Sequence, residues 1–220
     1  MIDKLEQIKI VPVVAIDSAE KAEPLADALC AGGLPCAEVT MRTDAALDVI
    51  KVMSRRAELL LGVGTVHNPD QAQAAIDAGA KFVVSPGFNP RTVNWCVENK
   101  IPVFPGTSSP TDLEMALEHG LDVVKFFPAE TIGGVKTLKA FSGPYGGMRF
   151  IPTGGIGPGN VKDYLALPCV LSCGGSWMVK PDLLKAGRFD EVQRLAVEAV
   201  ALAADAAAAP PLTVNTPLPG

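Results

Sequence analysis

The sequence has few of the residues from which common metal sites are built. Only two histidines occur, His67 and His119, and there is no CxxC or HxxxH pair, so the usual zinc sites cannot be assembled from sequence neighbours. The five cysteines are an odd number in a chain of 220 residues, which is long enough to fold without disulfides. We therefore expect no catalytic metal, reduced thiols and a cytoplasmic location.

Two kinds of binding surface are also missing. The net charge is −5 and the basic residues are scattered, so the sequence has no cationic stripe that would attract a nucleic acid or an anionic membrane. The longest uncharged run, residues 164–179, is interrupted by proline, glycine and serine, and residues 1–9 alternate charged and apolar side chains. Neither a spanning helix nor a signal peptide fits these segments. Small molecules are the expected partners.

Eight short apolar runs alternate with alanine-rich stretches of helical periodicity. This βαβα pattern is typical of a parallel sheet. Eight strands in about 200 residues favour a single (β/α)8 barrel over an open doubly wound sheet. We predict one domain over residues 1–209, with a short N-terminal helix and a proline-rich, flexible tail at 210–220. The predicted strands are 10–16, 36–42, 59–65, 81–85, 101–105, 122–127, 149–153 and 170–173.

One lysine occupies an unusual position for a charged residue. Lys125 lies within the apolar run Val-Val-Lys-Phe-Phe-Pro at 123–128. Burial disfavours an ammonium ion and so favours a neutral amine that can attack a ketone. The alternative is a lysine whose head group reaches solvent at the barrel mouth. Other strand ends favour the catalytic interpretation.

The second predicted strand carries polar side chains on one face. Alternation places Glu38, Thr40 and Arg42 together, facing into the barrel, and leaves the apolar residues between them facing the helices. A carboxylate and a guanidinium inside a barrel are costly unless they pair or meet a ligand. The alternative is a structural ion pair between Glu38 and Arg42.

Glycine pairs follow the seventh and eighth predicted strands. Gly154 and Gly155 come after Thr153, and 174–175 precede Ser176. In this fold these two loops commonly bind phosphate, because glycine lets backbone N–H groups approach an anion. Two further strand ends offer the hydroxyl of Thr65 and Pro86 as pocket walls, although ordinary turns would also explain them.

Ordered motifs at six strand ends identify a family resemblance. From about residue 5 to residue 200 the chain resembles the 2-keto-3-deoxy-6-phosphogluconate (KDPG) aldolases, which are Schiff-base enzymes of the KDPG/KHG aldolase family. The motifs are EVTMRT at 38–43, GVGTV at 62–66, VSPGF at 84–88, KFFPAE at 125–130, PTGGI at 152–156 and GGSW at 174–177.

The resemblance implies a role for each candidate residue. Lys125 would form the imine with pyruvate and Glu38 would carry protons. The phosphate site would comprise Gly154, Gly155 and Ser176, with Thr153 near the hydroxyl of the cleaved bond. The pyruvate pocket would comprise Arg42, Thr65, Pro86 and Phe127. The family also implies a homotrimer and no metal or organic cofactor.

Several alternatives remain at this point. The nearest is an aldolase for the 6-phosphogalactonate epimer, although TMRT at 40–43 and Thr153 resemble the gluconate type. Activity on 4-hydroxy-2-oxoglutarate could accompany either. A phosphosugar epimerase or isomerase, or a non-catalytic phosphosugar-binding barrel, would use the glycine loops but would not explain a lysine opposite Glu38.

Overall fold

The computed structural model describes residues 1–208, so the predicted tail at 210–220 lies outside the described residues. The strands are β1 Ile10–Val14, β2 Cys36–Thr40, β3 Leu60–Gly64, β4 Val83–Val84, β5 Val103–Phe104, β6 Gly106–Thr107, β7 Val123–Phe126, β8 Arg149–Pro152 and β9 Cys173–Gly175. The helices are α1 Ile2–Ile8, α2 Ala22–Ala31, α3 Ala46–Met53, α4 Pro69–Asp77, α5 Pro90–Glu98, α6 Pro110–Glu118, α7 Gly134–Phe141, α8 Val161–Leu165, α9 Pro181–Lys185 and α10 Phe189–Ala208.

The strands form a closed parallel ring. One group pairs in the order β5-β4-β3-β2-β1-β9 and the other in the order β6-β7-β8. The two groups join where β5 continues into β6 on either side of Pro105, and where β8 meets β9 through the bridges Phe150–Val170 and Thr153–Gly174. The result is the predicted (β/α)8 barrel, and the alternative of an open doubly wound sheet is wrong.

Six predicted strands agree with the observed ones to within two residues at each end, and two differ further. The fifth is divided at Pro105, which has no N–H to donate to the ladder, although its carbonyl accepts a 3.0 Å hydrogen bond from the amide of Lys125. The eighth was predicted at 170–173 but is observed as Cys173–Gly175. Val170 makes only an isolated bridge, so the strand begins where it meets β1.

The apolar residues form two separate layers. The larger layer lies between the strands and the surrounding helices, and includes Ala37 and Val39 of β2. The smaller fills the barrel interior. Helix α1 covers the N-terminal end of this interior, since Leu5 is fully buried in it and Met1, Ile2 and Ile8 pack against it. The opposite end is left for polar side chains. The interior layer comprises Leu5, Val11, Cys36, Phe82, Val84, Phe104, Val123, Ile151 and Leu171.

Helix ends agree with the capping residues in the sequence. The Asn68 and Asn89 side chains accept hydrogen bonds from backbone N–H groups at the start of α4 and α5, and each helix begins with proline. Gly79 and Gly120, which follow α4 and α6, have positive φ values of 115° and 71°, as expected beyond a helix C-terminus. Within residues 1–208, no helix is long and apolar enough to cross a membrane.

Candidate active site

Lys125 and Glu38 meet inside the barrel. Lys125 is the third residue of β7 and Glu38 the third of β2, and both side chains point inward. The lysine Nζ lies 3.6 Å from Glu38 Oε1, and only 7% and 5% of the two side chains are exposed. The same Nζ lies 5.0 Å from the centre of the Phe127 ring. A nucleophile and a carboxylate are therefore adjacent in a site largely closed to water.

The Glu38 carboxylate depends on a neighbouring glycine for its space. A Cβ on Gly64 would overlap Glu38 Oε1, and would lie 2.7 Å from the carboxyl carbon. Oε1 is buried and has no hydrogen-bond partner. A buried carboxylate oxygen without a donor is costly in a folded protein. Its nearest cation is Lys125 Nζ at 3.6 Å, which offsets part of this cost.

Arg42 is held by Thr40, not by Glu38. The Thr40 hydroxyl donates to the carbonyl of Val14 at 2.8 Å and accepts from Arg42 Nε at 3.1 Å. Thr40 is almost fully buried, whereas Arg42 is exposed at the barrel mouth. The predicted inward face of β2 is therefore confirmed for Glu38 and Thr40, whereas Arg42 lies beyond the end of the strand. The alternative of a Glu38–Arg42 ion pair is wrong, because Glu38 pairs with Lys125.

A second cavity opens beside the lysine, at the ends of β8 and β9. Gly154 and Gly155 have φ values of 102° and 78°, which residues other than glycine rarely adopt. A Cβ on Gly174 would overlap the hydroxyl of Thr153. The loop thus needs its glycines for conformation and for close approach. The cavity is lined by Val13, Arg42, Phe127, Thr153, Gly154, Gly155, Ile156, Gly174, Gly175 and Ser176.

Thr153 connects the two parts of the site. It lines the glycine cavity and also the narrow interior cavity that contains Glu38 and Lys125. Eight of the ten predicted residues therefore lie in one of two adjoining cavities. Thr65 and Pro86 line neither of them, although both follow strands at the same end of the barrel. Thr65 adopts a positive φ of 59°, a strained conformation of the kind often found at functional sites.

The sequence interpretation missed three residues with clear contacts at the site. The sequence places Thr40 on the inward face of β2 but indicates no contact for it, and Gly64 belongs to a strand end that could line the pocket, with no role of its own. Glu130 ends the KFFPAE motif, and accepts a hydrogen bond from Tyr164. Gly64 lies on the strand next to the one that carries the inward-facing Glu38. Recognising this requires the pairing of β2 with β3, which no local sequence pattern shows.

The residues that the structure describes include no metal-binding cluster and no activated thiol. Residues 1–208 contain no cluster of three or more His, Cys, Asp or Glu side chains suited to a metal ion. All five cysteines are free. Burial raises the pKa of Cys36 and Cys173, and raises that of Cys96 to about 12. These thiols therefore remain protonated at physiological pH and are poor nucleophiles.

A lysine paired with a carboxylate at the mouth of a (β/α)8 barrel, beside a glycine-lined cavity, is the arrangement expected of a barrel aldolase. A family model described as KDPG and KHG aldolase matches residues 1–195. The chain belongs to this family.

Relatives cover nearly the whole described chain. The 2-dehydro-3-deoxy-phosphogluconate aldolase of Treponema pallidum is 50% identical over 194 residues, which are 88% of this chain and 92% of the relative. The KDPG aldolase of Legionella pneumophila, solved with pyruvate as a covalent carbinolamine, is 36% identical with a TM-score of 0.86 over 90% of this chain and 97% of its own. The enzyme of Zymomonas mobilis, solved with 3-phosphoglycerate, is 40% identical with a TM-score of 0.85, over 91% and 95%.

Proposed function

We propose that the protein reversibly cleaves 2-keto-3-deoxy-6-phosphogluconate to pyruvate and glyceraldehyde 3-phosphate through a Schiff base on Lys125. The observation that carries this proposal is the buried contact between Lys125 Nζ and Glu38 Oε1 at 3.6 Å. The related L. pneumophila enzyme, which captures pyruvate as a carbinolamine, supports the same chemistry here.

The first step forms a bond between Lys125 and the substrate. Lys125 passes a proton to Glu38, and the neutral amine attacks the C2 ketone to give a carbinolamine. Glu38 returns this proton to the former ketone oxygen, which leaves as water and gives a protonated imine. The iminium ion accepts the electron pair of the C3–C4 bond when that bond breaks. Phe127, whose ring centre lies 5.0 Å from Nζ, would pack against the imine and help to exclude water.

Glu38 would move the protons that these steps require. Dehydration of the carbinolamine needs a proton donor, and bond cleavage needs a base for the C4 hydroxyl proton. Glu38 Oε1 lies 3.6 Å from Nζ and suits both tasks, directly or through a water. The resulting enamine is then protonated at C3, and hydrolysis of the imine releases pyruvate. One carboxylate can serve in turn as acid and base.

The two ends of the substrate carry separate negative charges, and we assign them to different walls. The pyruvate carboxylate would bind Arg42 and Thr65, with Pro86 and Phe127 as apolar walls. Arginine suits a carboxylate because its guanidinium donates two parallel hydrogen bonds. Thr40 already fixes its Nε, which leaves the remaining N–H groups for substrate.

The phosphate would bind in the glycine cavity. Backbone N–H groups of the loop at Gly154 and Gly155 and the exposed hydroxyl of Ser176 are the expected donors. Thr153 lies between this cavity and the lysine, where the C4 hydroxyl of a bound substrate would be. The 3-phosphoglycerate in the structure of the Z. mobilis relative is consistent with a phosphate-binding role for such a site.

Cleavage can be measured directly by coupling the pyruvate released from KDPG to lactate dehydrogenase. We expect turnover by the unaltered protein and none by Lys125→Arg, since a guanidinium stays protonated and cannot form an imine. Lys81→Arg is the matched control, because Lys81 is exposed and should be dispensable. Equal or faster cleavage of the 6-phosphogalactonate epimer would contradict the substrate assignment.

A side activity on 4-hydroxy-2-oxoglutarate follows from the same chemistry. The family description includes KHG aldolases, and this substrate would also yield pyruvate from a Lys125 imine. It has no phosphate, so the glycine cavity would contribute less binding energy. We propose that it is cleaved with a lower kcat/KM than KDPG in parallel assays.

We propose further that the protein is a homotrimer in the cytoplasm. The trimer rests on the family resemblance, and the cytoplasm on five free cysteines that an oxidising compartment would expose to disulfide formation. Sedimentation equilibrium should give three times the 22.9 kDa chain mass. A mass equal to one or two chains would contradict the trimer.

A further inference from the structure

Glu130 contacts the start of the loop that we assign to phosphate binding and the helix that follows this loop. This loop runs from Gly154 to Asn160, between β8 and α8. Glu130 follows β7, on the same segment as Lys125, and is the last residue of the KFFPAE motif. Neither the imine chemistry nor the phosphate donors proposed above use its side chain.

The start of the loop is held by backbone hydrogen bonds from the Glu130 segment. The amide of Ala129 donates to the carbonyl of Thr153 at 2.8 Å, and the amide of Glu130 donates to the carbonyl of Gly154 at 3.1 Å. The Glu130 side chain then lies against one face of Gly155, because a Cβ built there would lie 2.7 Å from both its Cβ and its Cγ. The backbone of Gly155, with its positive φ, is therefore packed against Glu130.

The Glu130 carboxylate binds the helix that follows the loop. Tyr164 of α8 is fully buried, and its hydroxyl donates to Glu130 Oε1. Burial first, and then the hydrogen bond to Glu130, raise the pKa of Tyr164. The phenol thus remains a donor at any pH at which the enzyme works. Asn160 closes the loop internally by donating to the carbonyl of Gly155 at 3.0 Å.

We propose that Glu130 is a positioning residue that sets the phosphate-binding conformation of the loop 154–160 through Tyr164 and the face of Gly155. The proposal rests on the phosphate site assigned above. Backbone N–H groups bind an anion well only when successive φ and ψ angles direct them to one point. A loop tied by one residue at its start and through the helix that follows it retains that geometry before substrate arrives, which reduces the entropy cost of binding.

Variants of Tyr164 and Glu130 can distinguish a positioning role of Glu130 from a general contribution to stability. Tyr164→Phe keeps the buried ring and removes only the hydroxyl, while Glu130→Gln keeps an oxygen that can accept from Tyr164. Loss of one hydrogen bond that involves a charged group corresponds to about a tenfold change in affinity. We expect Tyr164→Phe and Glu130→Ala to raise KM for KDPG about tenfold, with kcat within about threefold of wild type, and Glu130→Gln to restore near-normal KM.

The test compares KDPG with unphosphorylated 2-keto-3-deoxygluconate for the wild type and the three variants. The proposal expects kcat/KM for the unphosphorylated substrate to be unchanged in all three. Equal losses on both substrates would show a structural role, and unchanged kinetics in Tyr164→Phe would show no role at all; either overturns the proposal. If Glu130→Ala does not fold, Tyr164→Phe and Glu130→Gln decide the question. A wild type that does not discriminate between the substrates would instead refute the phosphate site itself.

Discussion

The carboxylate of Glu38 occupies the space that a side chain on Gly64 would fill. A Cβ at Gly64 would overlap Glu38 Oε1 and lie 2.7 Å from the carboxyl carbon. The two residues lie on neighbouring strands, and the register pairs Glu38 with Gly62, so the Glu38 side chain reaches diagonally over Gly64, two residues further along β3. The absence of a side chain at position 64 therefore determines where the proposed proton carrier lies relative to Lys125.

Gly64→Ala should displace the carboxylate from Lys125 and lower kcat by tenfold or more, because general acid–base catalysis requires hydrogen-bond reach. Steady-state assays with KDPG measure this. Gly147→Ala is the matched control, since nothing lies within 4 Å of a Cβ there. Normal turnover by Gly64→Ala would show that the position of Glu38 does not matter.

Glu38→Gln should keep the shape of the site and remove the base. Proton transfer by a placed side chain contributes about 10² to 10⁴ in rate, so we expect kcat to fall by that amount. Imine formation should be slower but still complete on long incubation with pyruvate. Near-normal turnover combined with a much lower melting temperature would instead indicate a purely structural ion pair with Lys125.

Thr40→Val should loosen Arg42. The valine cannot accept from Arg42 Nε or donate to Val14, so KM for KDPG should rise about five- to tenfold, as expected for a lost hydrogen bond. The buried carbonyl of Val14 would also lose its side-chain donor, which lowers the free energy of unfolding by about 1 to 3 kcal/mol. Thr40→Ser keeps both contacts and should behave like wild type. If the valine and serine variants share the same KM, Thr40 does not position Arg42.

Most of the fold could be predicted because apolar residues recur with different periods in strands and in helices. Eight apolar runs gave the barrel, and Asn68 and Asn89 marked helix starts correctly. The break at Pro105 and the start of β9 at Cys173 were not predictable in the same way. The break reflects the missing N–H of Pro105, whereas the start of β9 depends on where the chain meets β1, which is a property of the closed ring rather than of the local sequence.

The candidate site, like the fold, has a part that the sequence predicts and a part that it does not. The inward alternation of β2 placed Glu38 and Arg42 correctly, but sequence offered two partners for Glu38, and only the packing of β7 across the barrel identifies Lys125. The Tyr164–Glu130 contact joins residues 34 apart on different elements. No local pattern indicates such a contact.

Activity should not depend on a metal ion. The prediction is motivated by two isolated histidines in the sequence and by a mechanism in which the iminium ion accepts the electrons. Prior incubation with EDTA should leave kcat/KM unchanged in the lactate dehydrogenase assay, with the coupling enzyme checked separately. Loss of activity that added zinc restores would contradict it.

The central claim is that Lys125 forms the imine. Incubation with pyruvate and sodium borohydride, followed by peptide mass spectrometry, would detect the reduced adduct as a stable modification. We predict one modified site, Lys125, in the wild type, none in Lys125→Arg, and slow but complete labelling in Glu38→Gln. Modification of a different lysine, or no modification under conditions of active turnover, would contradict the Schiff-base mechanism at this residue.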